Sequence, residues 1–132
     1  MMTTQIKAAF EIASWDETPF EDADSDGAEE TKLTEALVTK RYSGDIEGTS
    51  TTKWLMAYAP DKSATYVGVE HITGTVGGRR GGVVLMHDGE YADGVATAIL
   101  RIVSGTGELT GATGSGKFRA DPAGTLLLDL DG

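Results

Sequence analysis

The sequence predicts an all-β fold, a barrel or a sandwich built from eight sequential antiparallel strands. Three observations carry this. Runs rich in Thr, Val and Ile recur along the chain with apolar and polar residues alternating. Eighteen glycines and several tight turn signals punctuate those runs. No segment sustains a helical period over ten residues, although Glu29–Val38 is ambiguous in propensity.

The elements follow in order. Ile6–Trp15 alternates Ile6, Ala8, Phe10 and Ile12 against Lys7, Ala9 and Glu11, which makes a first strand. An acidic loop over residues 16–30 is expected next. Lys32–Tyr42 is the second strand, turned by Ser43-Gly44-Asp45 into a third over Ile46–Tyr58. The Ala59–Ser63 turn leads to a fourth, Ala64–Val76. Gly77-Gly78 opens the fifth, which runs through Tyr91. Asp93-Gly94, a favoured two-residue hairpin turn, opens the sixth, which runs through Val103. Ser115–Ala120 and Thr125–Asp131 complete the set.

Turn geometry then fixes register, and register assigns faces. A two-residue turn at Gly77-Gly78 pairs Val76 with Arg79, which sets Glu70 opposite Leu85 and Gly68 opposite His87. The Asp93-Gly94 turn pairs Ala92 with Val95 and sets Leu100 opposite His87. Asp88 and Glu90 want water, so His87 points inward, and the same register sends Arg101 outward. Glu70 and His87 become diagonal neighbours on one inward face beside Tyr66 and Ile72. In the third strand the charges of Lys53 and Glu47 favour solvent, which places Trp54, Met56 and Tyr58 inside. Lys40 shares a row with Ala36, Val38 and Tyr42. Either it faces in as a partner for Glu70, or it snorkels outward to water.

Composition narrows the function. A chain of 132 residues can bury one core and reads as one domain, 1–132. The net charge of −10 argues against nucleic acid. That charge is concentrated: residues 16–30 hold eight acidic side chains, and the remainder carries thirteen acidic against eleven basic. The longest apolar runs, Val83–Met86 and Leu126–Leu128, are far too short to cross a membrane. No secretory leader pattern is evident, and with zero cysteines there is no disulfide framework. A cytoplasmic protein is the expectation.

The pair Glu70 and His87 is the candidate catalytic site. A carboxylate in an apolar surround has a raised pKa and can exchange protons with a substrate, while the imidazole partners it or donates to an oxyanion. The alternative is a polar contact that fixes register. Tyr58 and Tyr66 offer hydroxyls, and Trp54 a flat apolar wall. Asp22, Asp24, Asp26 and Gly27 match the first half of a calcium loop, but Glu29 and Leu33 break the second half. The glycines from Gly105 to Gly116 fail the spacing of a nucleotide loop. His71 lies outward, so two histidines make no metal cluster.

Several blocks together carry a resemblance: Ser14-Trp15-Asp16-Glu17, Lys32-Leu33-Thr34, Gly44 to Ser50, Leu55-Met56-Ala57-Tyr58, Tyr66–Tyr91 and Gly105 to Leu109. In these the chain resembles an uncharacterised bacterial family, domain of unknown function 3224. That resemblance implies an eight-stranded antiparallel barrel similar to allene oxide cyclase, whose relatives bind an apolar substrate inside the barrel and steer its cyclisation without cofactor. The expected function is binding of a small hydrophobic molecule, with cofactor-free isomerase or cyclase chemistry as its enzymatic form. Glu70 is then the acid–base group, His87 its partner, and Trp54, Met56, Tyr58, Tyr66, Leu85 and Leu100 line the ligand. The C-terminal LLLDLDG is less aromatic than the family leads one to expect, and the acidic loop is longer and more charged. The competing expectation is a non-catalytic interaction barrel, with the outer residues Val67, Val69, Val84 and Ile99 as a homo-oligomer interface.

Overall fold

The computed structural model describes residues 3–20 and 32–132. Eight strands run in sequence order: β1 (Thr3–Pro19), β2 (Lys32–Gly44), β3 (Ile46–Tyr58), β4 (Ala64–Val76), β5 (Arg79–Ala92), β6 (Val95–Gly107), β7 (Thr113–Asp121) and β8 (Ala123–Asp131). Each pairs antiparallel with the next, and β8 pairs with β1, so the sheet closes into a ring. Following paired residues around the ring from Lys32 through Tyr58, Ala64, Tyr91, Ala96, Ala120, Gly124 and Phe10 returns to β2 at Tyr42, ten residues further along. That offset tilts the strands. Eight tilted strands leave a bore that side chains can fill or that can hold one small ligand.

The hairpins adopt the expected registers. Gly77 and Gly78 both have positive φ (57° and 81°), as do Asp93 and Gly94 (55° and 79°), which suits the right-handed twist of the flanking strands. Val76 pairs with Arg79, Glu70 with Leu85, Gly68 with His87, and Leu100 with His87. Inward rows from all eight strands form the core, including Ile6, Val38, Ile46, Ile72, Leu85, Leu100, Phe118 and Leu128.

β1 is longer than its alternation implied. It continues through Asp16–Pro19, so the acidic stretch begins as strand; residues 21–31, which include most of the incomplete calcium motif, lie outside the described residues. A register shift between Ile12 and Ser14 keeps Trp15 opposite Val38 and Glu17 opposite Ala36, both on the inward row. Because β8 pairs with β1 only as far as Phe10, the later part of β1 is bonded on one side alone. That part of β1 lies at the end bearing the β3–β4, β5–β6 and β7–β8 turns, called the upper end below. Trp15 is inward-facing by register yet 45% exposed.

Candidate functional site

Halfway along the bore, side chains from β2, β3, β4 and β5 meet around one carboxylate. Glu70 Oε1 accepts from Lys40 Nζ at 3.3 Å and contacts His87 Nε2 at 2.9 Å. Its other oxygen, Oε2, accepts from the hydroxyls of Tyr42 and Ser50, each at 2.6 Å. The side chains of Lys40, Glu70 and His87 have no solvent exposure. The Lys40 ammonium also sits against the rings of Phe10 (4.6 Å), Trp54 (5.0 Å) and Phe118 (5.0 Å), which present their negative faces to its charge.

Hydrogen-bond logic fixes the imidazole. The indole nitrogen of Trp54 can only donate, and it lies 3.0 Å from His87 Nδ1. Nδ1 is therefore the acceptor, and the proton resides on Nε2, where it is donated to Glu70. Burial pushes the His87 pKa down, and the Lys40 charge adds to this, while Glu70 pulls the other way; the net shift is downward. His87 is a neutral imidazole held in one tautomer by a carboxylate.

Glu70 departs from the sequence expectation. Burial by itself raises its pKa, but the Lys40 charge, His87 and Ser50 outweigh burial and hold it at about 2. An apolar surround without donors would have raised it; four donors from neighbouring strands do the reverse. Glu70 is a fixed anion. Burial also lowers the Lys40 pKa, and Glu70 partly restores it. Lys40 therefore faces in, and the lysine that sequence reasoning left undecided is the charge partner.

The expected lining residues all occupy the inward face. Trp54, Met56, Tyr66, Leu85 and Leu100 are buried and Tyr58 is half-buried. Trp54 lies across Gly68, where a methyl group would come within 2.6 Å of its ring. Tyr66 donates to the carbonyl of Thr97 at 2.8 Å, so its hydroxyl is engaged. At the cluster's level these side chains themselves occupy the bore. Three open spaces lie elsewhere: about 790 Å³ on the outer face of β4–β8, about 340 Å³ beside Phe10 and Tyr42, and about 360 Å³ at the upper end, lined by Glu17, Pro19, Lys32, Thr34, Tyr58 and Lys62. None of the three is lined by Glu70 or His87.

Four further contributors escaped the sequence reading: Tyr42 and Ser50, which complete the carboxylate, and Trp15 and Glu17 at the mouth. Glu17 accepts from Trp15 Nε1 (3.0 Å), Thr34 (2.6 Å) and Tyr58 (2.7 Å). Partial burial opposes these donors, but they prevail and lower its pKa. Trp15 packs against Trp54 with ring centroids 5.5 Å apart and planes tilted by 53°. Beside the cluster, Thr52 pairs with Glu70 across β3 and β4 and points inward. Among the described residues its hydroxyl is buried without a hydrogen-bond partner. Among the described residues, too, no three His, Cys, Asp or Glu side chains converge as a metal site would need.

Residues 6–131 match the family model described as "Protein of unknown function (DUF3224)". The chain belongs to this family. A solved relative, a DUF3224 protein of unknown function from Shewanella oneidensis MR-1, is 29% identical over 98% of both chains, with a TM-score of 0.75. The all-β ring of antiparallel strands is thus shared at close to full length. No curated protein matches the sequence.

Proposed function

We propose that this DUF3224 barrel binds a small apolar molecule bearing a hydroxyl or enol, which enters at the upper end and reaches His87. The observation that carries this reading is the cluster itself. A buried ion pair contributes little net stability, because desolvation offsets its attraction, and an apolar core would hold the barrel at least as well. Buried ionisable groups with displaced pKa values gather at functional sites more often than in plain cores. The unpartnered Thr52 hydroxyl beside Glu70 adds a second polar group that a ligand's polar end would satisfy. Two indoles in tilted contact, Trp15 and Trp54, lie between this centre and the mouth.

The kinship with allene oxide cyclase barrels belongs to this proposal, as does cofactor-free isomerisation or cyclisation. In this reading the roles differ from the sequence expectation. Glu70, ionised and fully bonded, orients the imidazole. His87 Nδ1 is the base, available when Trp54 turns away and a substrate hydroxyl or enol takes the place of its N–H. A carboxylate that fixes one imidazole nitrogen so that the other faces the substrate is a recurrent arrangement in acid–base catalysis. Because side chains fill the bore at this level, the ligand enters only by displacing Trp54; Met56, Tyr58 and Tyr66 then contact its apolar body, and Leu85 and Leu100 form its floor.

Native mass spectrometry of the freshly purified protein tests the reading, together with the indole N–H resonance of Trp54 during titration with 1-naphthol. The expected results are a small-molecule adduct and a shift of the Trp54 resonance. A bare polypeptide mass together with an unmoved Trp54 resonance overturns it. A second reading, a non-catalytic interaction barrel, draws on the outer surface of β5–β7.

A further inference from the structure

The outer faces of β5, β6 and β7 carry a charge pattern that is complementary to itself. In one cross-strand row, Val67, Asp88, Ile99, Lys117 and Leu127 lie side by side on β4 to β8. In the adjacent row the order is Thr65, Glu90, Thr97, Arg119 and Thr125. Both rows read acid, uncharged, base across β5–β6–β7. Ile99, at the centre, is 71% exposed, the highest among the large apolar side chains exposed on this surface. The trough between the two rows is the 790 Å³ concavity, floored by the backbone of Gly89, Ala98 and Phe118.

We infer that this face joins two copies of the chain about a twofold axis running along β6. Such an axis preserves strand direction and exchanges β5 with β7. Ile99 then meets Ile99 of the second copy, Asp88 meets Lys117 and Glu90 meets Arg119. Val67 and Thr65 lie over Leu127 and Thr125. A twofold axis perpendicular to the strands would instead set β5 on β5 and bring like charges together. The pattern therefore selects one symmetry operator, as an isologous contact requires.

Charge supports a second copy over an unrelated partner. The chain as a whole is −10, yet Asp88 and Glu90 balance Lys117 and Arg119, so the face is locally neutral. Arg119 bonds Asp121 at 3.1 Å on the surface; Asp88, Glu90 and Lys117 form no ion pair among the described residues. The next row places Arg101 on β6, where the same axis sets the two copies' Arg101 side chains towards each other, and their repulsion bounds the contact on that side. Two rows make a modest interface, in the class of concentration-dependent association. The surface differs from the sequence expectation: Val67 and Ile99 belong to it, Val69 shares the row of Arg101, and Val84 is half-buried.

Sedimentation velocity over a range of concentrations, with charge-reversed chains, tests the inference. One chain carries Asp88→Lys and Glu90→Lys, the other Lys117→Glu and Arg119→Glu, and circular dichroism confirms that each folds. The wild type is expected to dimerise, and each reversed chain to self-associate about a hundredfold more weakly or not at all. Mixing the two reversed chains should restore a dimer, because every reversed pair becomes complementary again. A wild type that stays monomeric at every concentration overturns the inference. So does self-association that the reversals leave unchanged, or reversed chains that fail to combine.

Discussion

At the residue scale, the centre of the barrel is a carboxylate that cannot let go of its charge. Glu70 is held at about 2 against an ordinary value of 4.5, so it contributes stability above 4.5 that is lost as pH falls towards 2. His87 has a folded pKa below its ordinary 6.5, so its contribution begins to fall as soon as pH drops below 6.5, where the unfolded chain takes up the proton. Urea midpoints measured from pH 8 to 4 are expected to decline in acid, with the first decline absent in His87→Gln. The tautomer is checked by the imidazole nitrogen resonances, which should show protonated Nε2 and bare Nδ1 at pH 7. Removing one partner alone should be severe. Lys40→Met strands an ionised carboxylate in the core and is expected to cost about 3–5 kcal/mol in denaturant unfolding. Of this centre, the contact between Glu70 and His87 was legible, because two-residue turns fix the register of β4–β5–β6. The ionisation of Glu70 was not. It depends on Lys40, Tyr42 and Ser50, which reach the same point only through the tilt of the closed ring.

At the scale of elements, the hairpins were the most readable part of the chain. Gly77-Gly78 and Asp93-Gly94 each permit one tight turn, and one turn dictates thirteen paired positions from Ala64–Tyr91 to Val76–Arg79. β1 was read too short because Asp16 and Glu17 look like loop residues. Glu17 is tolerated on the inward row because Trp15, Thr34 and Tyr58 all donate to it. Lys40 was ambiguous for a related reason: alternation gives a lysine's row, but whether it can reach water depends on its depth in the bore. The β4 glycine beneath Trp54 offers a test at this scale. Gly68→Ala puts a methyl 2.2 Å from the Lys53 carbonyl oxygen and 2.6 Å from the indole, so β3 and β4 must part locally and Trp54 should shift away from His87. Its indole N–H resonance should move towards the position of a solvent-exposed tryptophan, the backbone amides around Lys53 should shift with it, and those of β6–β8 should stay in place.

For the whole molecule, closure explains both what is buried and what remains outside. A ring of eight strands pairs every strand on both sides apart from the later part of β1, which leaves the bore and the outer faces as the main surfaces for function. The bore holds a charged centre whose stability value is small, and the outer face of β5–β7 holds a pattern whose symmetry matches a second copy. The central claim is that the Lys40–Glu70–His87 cluster is kept for binding and not for holding the barrel together. The most direct test is the double substitution Lys40→Met with Glu70→Gln, which removes both charges while keeping the packing. Its unfolding free energy and its small-molecule adduct would be measured on the same preparation. The account predicts a protein as stable as the wild type or more so, with the adduct lost. A markedly less stable protein that keeps the adduct would contradict it.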